Sequence, residues 1–248
     1  MNKHLILLAL VAVAFAGCKK DDEEPTAHDH GPSDATFRIE YGFHWGADDF
    51  NLTDTVTDGN THAVKFTAVK FYIGHPELFN AGTEVAHYHD LYRLLDATTP
   101  EGEMSIGTMG AASVTELHFL VGVDSVSNHA DPILADAPLN DASMHWTWNP
   151  AAGYKFLVLE GRVDDDGNGI DDSDPEFVYH CATDNALREA TISFSGTVAA
   201  GGILAPHMEI RMDQLVSGVD FLAAPTGMGY DPINAQLMDN LVNALEIE

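Results

Sequence analysis

The chain has few basic residues, almost no cysteine and, past its first residues, no apolar run long enough to span a membrane. It contains 11 lysines and arginines against 39 aspartates and glutamates, which gives a formal net charge of −28. A nucleic-acid-binding protein needs basic side chains to neutralise phosphates, so this balance excludes nucleic acid as a partner. A surface rich in carboxylates favours solubility and the binding of cations instead.

The motifs of common hydrolases and nucleotide-binding enzymes are also absent. The sequence has no His-Glu-x-x-His, no Gly-x-Ser-x-Gly, no phosphate-binding loop and no dinucleotide fingerprint. His180 and Cys181 are adjacent, but neighbours in a strand face opposite ways, so this pair does not suit nucleophilic catalysis. We therefore predict a binding protein that is not an enzyme. A metal-dependent oxidoreductase is the enzymatic alternative, and no acid/base arrangement supports it.

The first 17 residues have the features of an export signal. Lys3 supplies a positive charge, and the apolar run over residues 5–16 is shorter than a bilayer-spanning helix. Small residues then precede Cys18, a pattern that resembles a lipoprotein signal in which Cys18 becomes the lipidated N-terminus. An ordinary signal peptide with cleavage nearby is the alternative. Cys181 is then the single other cysteine, so we predict no intramolecular disulfide.

Residues 18–35 are predicted to form an acidic flexible tether. Lys19 and Lys20 are followed by four acidic residues, and such a charged stretch cannot bury apolar surface. A basic pair and then acids directly after the lipid cysteine resembles signals that send some lipoproteins to the outer cell surface. We therefore predict an exported protein with a lipid anchor in the outer membrane. Residues 36–248 have a length that one β domain can use.

Short runs of alternating apolar residues dominate this remainder. Phe37, Ile39 and Tyr41 fall on one face of a strand, and the runs at residues 64–66 and 69–73 are out of phase near Ala68, which predicts a bulge. Similar runs recur at residues 117–123, 154–158, 177–179, 191–194 and 208–212. Because Gly, Pro, Asn and Asp separate the runs, we predict an all-β fold, a single β-sandwich-like domain.

The C-terminus has helical periodicity instead. Asp231 is a suitable N-cap, and Pro232 suits the first helical position. Apolar residues then recur at four-residue spacing at Ile233, Leu237, Leu241 and Leu245. This pattern predicts a short amphipathic helix that packs on the sheet. A second small helix is predicted near residues 212–217.

An acidic loop at residues 164–172 resembles a calcium-binding loop. Gly169 at position six permits a sharp turn, and position twelve is Pro175 instead of the usual glutamate. Asp174 or Glu176 can replace that bidentate ligand only with a changed loop geometry. The alternative is a solvated hairpin loop. Oxygen donors fall at positions one, three, five, seven and nine, namely Asp164, Asp166, Asn168, the carbonyl of Ile170 and Asp172.

Histidine is unusually frequent, with 13 in the chain. Imidazole is the commonest ligand for borderline transition metals. His87 and His89 would project to the same face of a strand, and His28 and His30 lie in the tether. Each remaining histidine alone also fits an ordinary surface or core position, but their number favours a transition-metal site. These single histidines are His44, His118, His129, His145, His180 and His207.

Several motifs follow one another between residues 122 and 183. In chain order they are Gly122-Val123-Asp124, Asn128-His129-Ala130-Asp131-Pro132, Met144-His145-Trp146-Thr147-Trp148, Gly153-Tyr154-Lys155-Phe156 and Tyr179-His180-Cys181-Ala182-Thr183. The Met-x-Trp-x-Trp block followed by Gly-Tyr-Lys-Phe is the most specific part of this series. The series resembles one family, the MbnP-like proteins, which are periplasmic or surface copper-binding proteins named for a methanobactin-associated member.

The resemblance implies a β-rich copper-binding domain. In some members a tryptophan is oxidised to kynurenine and binds copper together with histidines. A dihaem cytochrome c peroxidase-type partner performs the oxidation. The alternative for large aromatics before a strand is a structural role in the core. Together with the histidine pattern, the copper candidates are His129, His180, His44, His145, His87 and His89, and the candidates for modification are Trp146, Trp148 and Trp45.

Two hypotheses follow for function. The first is an envelope-anchored lipoprotein that binds copper for its acquisition or handling. The second is a calcium-stabilised surface interaction module without a transition-metal function.

The chain departs from many relatives at Asp124, where they have proline, and at Cys181-Ala182, where they have Leu-Gly. These departures bear on the copper site more than on the fold.

Overall fold

The computed structural model describes residues 34–146 and 152–248. The predicted signal at 1–17, Cys18, nearly all of the predicted tether at 18–35 and Trp148 lie outside the described residues. The predicted boundaries between signal, tether and β domain therefore stay predictions.

Strands make up most of the described chain. The strands are β1 (Ala35–Trp45), β2 (Asp48–Asp49), β3 (Val56–Thr57), β4 (Ala63–Asn80), β5 (Thr83–His87), β6 (Tyr92–Asp96), β7 (Glu101–Met109), β8 (Ala112–Val121), β9 (Lys155–Val163), β10 (Glu176–Ala182), β11 (Arg188–Val198), β12 (Ile203–Leu204), β13 (His207–Arg211), β14 (Thr226–Gly229) and β15 (Leu245–Ile247). The helices are α1 (Ser125–Asn128), α2 (Met212–Leu215) and α3 (Pro232–Asn243). Short 3₁₀ turns lie at Ala142–Met144 and Asp184–Ala186.

These strands form two sheets. The first sheet has the order β12-β1-β13-β15, with β2 and β7 also paired to β1. The second has the order β11-β8-β4-β9-β10-β14, with β3, β5 and β6 also paired to β4. Most pairs are antiparallel, but β1 with β12, β1 with β13 and β10 with β14 are parallel. The long strands β1 and β4 therefore organise one sheet each.

The core lies between the two sheets. Phe43 of β1 meets Phe71 of β4 edge-on, with 6.4 Å between ring centroids. Within the second sheet, Phe66 of β4 packs against Phe177 of β10, with 5.6 Å between ring centroids. All four rings are buried, and each such ring contributes about 3–5 kcal/mol relative to alanine. The predicted all-β, sandwich-like fold is confirmed.

Strand β4 contains two irregularities in its pairing with neighbouring strands. Its register against β9 shifts between Phe66 and Ala68, which confirms the predicted bulge. A second shift, against β8, lies between Gly74 and Glu77 and was not predicted. His75 within it has a φ of +51°, a conformation that non-glycine residues adopt rarely. The second bulge changes the direction of the strand and places His75 beside the loop after β5.

The predicted C-terminal helix is present, but the prediction that it includes Leu245 is wrong. Helix α3 starts at Pro232, and the carboxylate of Asp231 accepts from the backbone N–H of Met228 (3.0 Å), not from a helix N–H. Leu237 and Leu241 are buried. The helix ends at Asn243, and Leu245 belongs to β15, because the free edge of β13 offers backbone partners to these last residues. The second predicted small helix is α2.

Among the described residues Cys181 is the one cysteine, and it is buried and free. Burial raises the pKa of its thiol strongly, so the thiol stays protonated and unreactive near neutral pH. His180 and Cys181 face opposite sides of β10, as predicted. In the described part of the chain, no helix is both long and apolar enough to cross a bilayer.

Asn234 connects α3 to the edge of the second sheet, and its removal should destabilise the fold. Its side-chain amide donates to the carbonyls of His180 and Gly229, at 3.1 Å each, and the residue is fully buried. Asn234→Ala leaves both carbonyls without this donor, so the free energy of unfolding should fall by about 2–4 kcal/mol. Urea denaturation measures the loss. Asn243→Ala, at the exposed end of α3, is the control, and an equal loss in both variants would contradict this role.

Candidate metal centres

Strands β9 and β10 bring a histidine and a carboxylate together. His180 lies opposite Val158 in the register of this pair, and Glu160 lies two residues further along β9 on the same face. The Nε2 of His180 is 2.7 Å from Oε1 of Glu160. The His180 side chain is only 13% exposed. The carboxylate therefore favours the tautomer that carries the proton on Nε2.

The other nitrogen of His180 is available to a ligand. Within the described residues, Nδ1 is buried and has no hydrogen-bond partner. Burial lowers the pKa of His180, while the bond to Glu160 opposes this shift, so the ring is neutral at pH 7. A neutral imidazole with an unused lone pair is the form that binds a transition metal.

Trp146 lies beside this imidazole. The two rings meet at 65° with 5.5 Å between centroids, and Trp146 is almost fully buried. Lys155 covers the indole, with its Nζ 5.5 Å from the ring centroid and donating to the carbonyl of Ser143. Burial lowers the pKa of Lys155. Its positive charge also opposes protonation of His180, which reinforces the neutral state.

The predicted ligands His129 and His145 have other partners. The Nε2 of His129 lies 3.2 Å from Oδ2 of Asp184, and its side chain is 56% exposed. The Nε2 of His145 lies 2.6 Å from the carbonyl oxygen of Leu139, and its ring packs on Tyr154. The structure therefore does not place His129, His145 and His180 as three donors around one point.

A cavity of about 480 Å³ opens beside Trp146. Its lining includes Trp146, His145, Tyr154 and Ile133. Helix α1 and the segment after it expose three large apolar side chains, Val126 (84%), Ile133 (87%) and Leu134 (83%). Single exposed apolar residues are common, whereas several within one short stretch of chain are typical of interaction surfaces.

The predicted pair His87 and His89 lies close to a third histidine, His75. The ring centroids of the pair are 4.5 Å apart, and that of His75 lies 6.2 Å from that of His89. The Nε2 of His75 is 2.9 Å from the hydroxyl of Tyr92. His75, His89 and His118 line one cavity, and His118 stacks on a phenylalanine. The side chains are partly exposed, and their ring nitrogens are not gathered into a compact three-donor group.

Trp45 and His44 are adjacent on β1 and have different surroundings. The Trp45 ring packs against Phe50 and Phe66, with centroids 6.4 and 6.1 Å away. Trp45 therefore contributes to the core, the structural role that large aromatics commonly have. His44 lies near Asp49, with Nδ1 3.6 Å from Oδ1, and near His207, with 6.4 Å between ring centroids.

The acidic loop places three carboxylates close together. Donor oxygens of Asp164, Asp166 and Asp174 all lie within 4.8 Å of one another, and this is the one such group among the described His, Cys, Asp and Glu residues. Backbone N–H groups of Gly167 and Gly169 donate to Asp164 at 2.6 and 2.9 Å and lower the pKa of its carboxyl. Asp174 therefore lies in this carboxylate group, and Asp172 is outside it.

The remaining calcium candidates are arranged around these carboxylates. The side-chain amide of Asn168 donates to Asp166, and the carbonyl of Asp172 accepts from Arg162 at 3.0 Å. Arg162 also donates to the carbonyl of Asp174 at 2.7 Å. Asn168 and the carbonyl of Ile170 stay predicted ligands.

Sequence reasoning missed Glu160, Asp184 and His75. Glu160 and Asp184 contact histidines 20 and 55 positions away, so only strand register and loop closure reveal them. His75 lies within the second bulge of β4, which was not predicted. A signal for Glu160 exists in retrospect, because charged residues are rare in a strand as apolar as residues 156–163.

The sequence profile of the MbnP family matches residues 33–232. Among solved structures, the chain is similar to MbnP from Methylosinus trichosporium, with 14% sequence identity and a TM-score of 0.51. The alignment covers 79% of this chain and 81% of that chain. No curated protein matches the chain. At this identity the structural likeness supports the fold alone.

The environment of His180 predicts how its imidazole titrates. Its pKa should lie below the ordinary value of 6.5, and Glu160→Gln should lower it further, because the carboxylate is the group that favours the protonated ring. Since the unfolded chain then takes up a proton more readily, stability should fall as the pH drops from about 6.5. NMR titration of the imidazole measures the pKa. Glu116→Gln is the control, and a His180 pKa above the ordinary value would refute this description.

Proposed function

We propose that the chain, which belongs to the MbnP family, binds copper at the cell envelope. Membership of this family suggests a methanobactin-associated function. The observation that supports this most is the buried, unpartnered Nδ1 of His180 beside Trp146. The profile match also confirms the resemblance found in the sequence. In this proposal the protein acquires or handles copper as a binding protein and is not an enzyme.

The chemistry of this position suits copper. Glu160 holds Nε2–H and so directs the Nδ1 lone pair towards the ion, the arrangement in which a carboxylate orients a ligating histidine. Burial keeps the ring neutral, so no proton has to leave when the metal binds. Reduced copper accepts few ligands and tolerates an apolar environment. Trp146 and the surrounding core provide such an environment.

Among the tryptophans, Trp146 is the best candidate for modification. It lies against His180, whereas Trp45 packs into the core and Trp148 lies outside the described residues. Oxidised to kynurenine, as in some family members, residue 146 would offer a ketone and an aromatic amine as donors beside the imidazole. His129 and His145 stay predicted ligands of this site, and each would have to leave its present partner to bind the ion.

We further propose how the protein is placed and modified. Lipidation at Cys18 would anchor the chain to the outer membrane, with the acidic tether separating the domain from the lipid. A dihaem cytochrome c peroxidase-type partner would dock on the exposed apolar side chains of Val126, Ile133 and Leu134. Ile133 and Trp146 line the same cavity, so the partner would sit close to the residue that it oxidises.

Calcium binding at the acidic loop is a second candidate function. Its support is the approach of Asp164, Asp166 and Asp174 within 4.8 Å. Calcium takes six to eight oxygen ligands, and the loop can add the carbonyl of Ile170 and solvent. The two proposals are compatible, because calcium would organise a loop at the other end of β9 from Trp146.

Copper binding should depend on His180 and on its orienting carboxylate. The full chain should bind one Cu(I) per molecule, His180→Ala should abolish this binding, and Glu160→Gln should weaken it by about 10- to 100-fold. Competition with a chromophoric Cu(I) chelator measures both values. His62→Ala, at a histidine paired with Asp58 in a distant turn, is the matched control. Equal affinity in all variants would remove this site from the copper proposal.

The calcium proposal predicts different effects for substitutions of Asp174 and Asp172. Calcium at about 100 times its Kd should add roughly 2.7 kcal/mol of stability and raise the melting temperature of the full chain. Asp174→Asn should abolish that rise, and Asp172→Asn should keep it, because only Asp174 lies in the carboxylate group. Differential scanning calorimetry with calcium and with a chelator gives the comparison. A melting temperature that calcium does not change would refute calcium binding.

A further inference from the structure

Two histidines flank Gly42 on the face of the first sheet that points away from the core. His44 follows Gly42 by two residues on β1, and His207 on β13 pairs with Glu40, two residues before Gly42. Alternate residues of a strand, and residues paired in register, share a face of the sheet. A Cβ placed on Gly42 would lie 2.9 Å from Nε2 of His44 and 3.5 Å from Nε2 of His207. Both ring nitrogens therefore point to the space left by the absent side chain.

One of these nitrogens has no partner. Within the described residues, Nε2 of His44 is buried and makes no hydrogen bond. Its other nitrogen, Nδ1, faces Oδ1 of Asp49 at 3.6 Å. A buried polar atom without a partner is costly in free energy, so such an atom calls for an explanation. A cation above Gly42 supplies one, because it takes the Nε2 lone pair while the carboxylate orients the ring.

Carboxylates flank the same position. Gly42 pairs with Glu101 on β7 and with Glu209 on β13, so the three residues form a row across the sheet. Glu101 is exposed and can turn inward, and Glu209 is half-buried. A neighbouring cation is Arg211, which pairs with His44 in the register of β1 and β13. Its guanidinium is held by three acidic residues, Glu209 (3.4 Å), Asp213 (3.7 Å) and Glu246 (3.8 Å).

We propose that His44, His207 and one flanking glutamate bind a divalent transition-metal ion, of the class of Zn²⁺, above Gly42. Two imidazoles and a carboxylate are a donor set that Zn²⁺ favours, with metal–ligand distances of about 2.0–2.2 Å. In the described structure the donor atoms of these three side chains do not all lie within 4.8 Å of one another. Metal binding therefore brings Glu101 or Glu209 inward, and glycine at position 42 leaves the ion its room.

This site lies on the first sheet, whereas His180 lies on the second, so it does not rest on the proposed copper function. The two sites also differ in the metal they suit. The position above Gly42 offers hard oxygen donors beside imidazole, and the position at Trp146 is apolar. Zn²⁺ binding at the first can therefore fail while copper binding at the second stands, and the reverse also holds.

Isothermal titration of the full chain with Zn²⁺ tests the proposal. The wild type should bind Zn²⁺, and both His207→Gln and Gly42→Ala should lose one equivalent or bind it at least tenfold more weakly. Gly42→Ala is the sharper variant, because it removes no donor and places a methyl group where the ion would sit. Gly59→Ala is its matched control, since a Cβ at Gly59 meets nothing within 4 Å.

Two further variants complete the experiment. His62→Gln controls for the loss of a histidine elsewhere, and His180→Ala should leave this Zn²⁺ equivalent in place. Melting temperatures show whether each variant is folded, and His207→Gln carries the test if Gly42→Ala is not. Absence of Zn²⁺ binding by the wild type would overturn the proposal. So would unchanged stoichiometry and affinity in folded His207→Gln or in folded Gly42→Ala.

Discussion

The antiparallel pairing of β9 with β10 determines what surrounds His180, and the proposed copper site depends on it. In this register Glu160 reaches the imidazole from the neighbouring strand and holds one nitrogen. The other nitrogen is buried without a partner in the described structure, and the imidazole ring lies beside Trp146. A shift of one residue would turn Glu160 to the opposite face of the sheet. The orientation, neutrality and burial of His180 therefore follow from the same backbone hydrogen bonds.

The same principle applies elsewhere in the fold. The pairing of β1 with β7 and β13 aligns histidines and glutamates around Gly42, while the bulge in β4 brings His75 next to His89. An acidic chain with many histidines can thus form several separate positions for cations. They differ in chemistry, since one is apolar with a single buried imidazole, one combines imidazoles with carboxylates, and one consists of carboxylates.

The fold was largely predictable from the sequence, because alternation and helical periodicity report burial directly. The period-two runs of Phe37, Ile39 and Tyr41 became a core-facing strand, and the phase slip near Ala68 became a bulge. Leu245 was assigned to the wrong element, because a four-residue spacing does not reveal that the edge of β13 is open to a further strand. Burial patterns are local, whereas strand pairing depends on distant residues.

The site was less predictable for the same reason. His180 and Trp146 could be named from motifs, but their contact with each other, and the contact of Glu160 with His180, follow from register and loop closure. His129 was expected beside His180, and the structure instead pairs it with Asp184. The acidic loop could be recognised from its spacing. The choice of Asp174 over Asp172 depends on the backbone turn after Asp171, which the pattern of oxygens does not specify.

Anomalous diffraction at the copper absorption edge, from crystals of the copper-loaded protein, tests the central claim most directly. The account predicts a copper peak about 2.0–2.1 Å from Nδ1 of His180, adjacent to residue 146, with Glu160 still bound to Nε2. A copper ion bound only at other histidines, with Nδ1 of His180 uncoordinated, would contradict it.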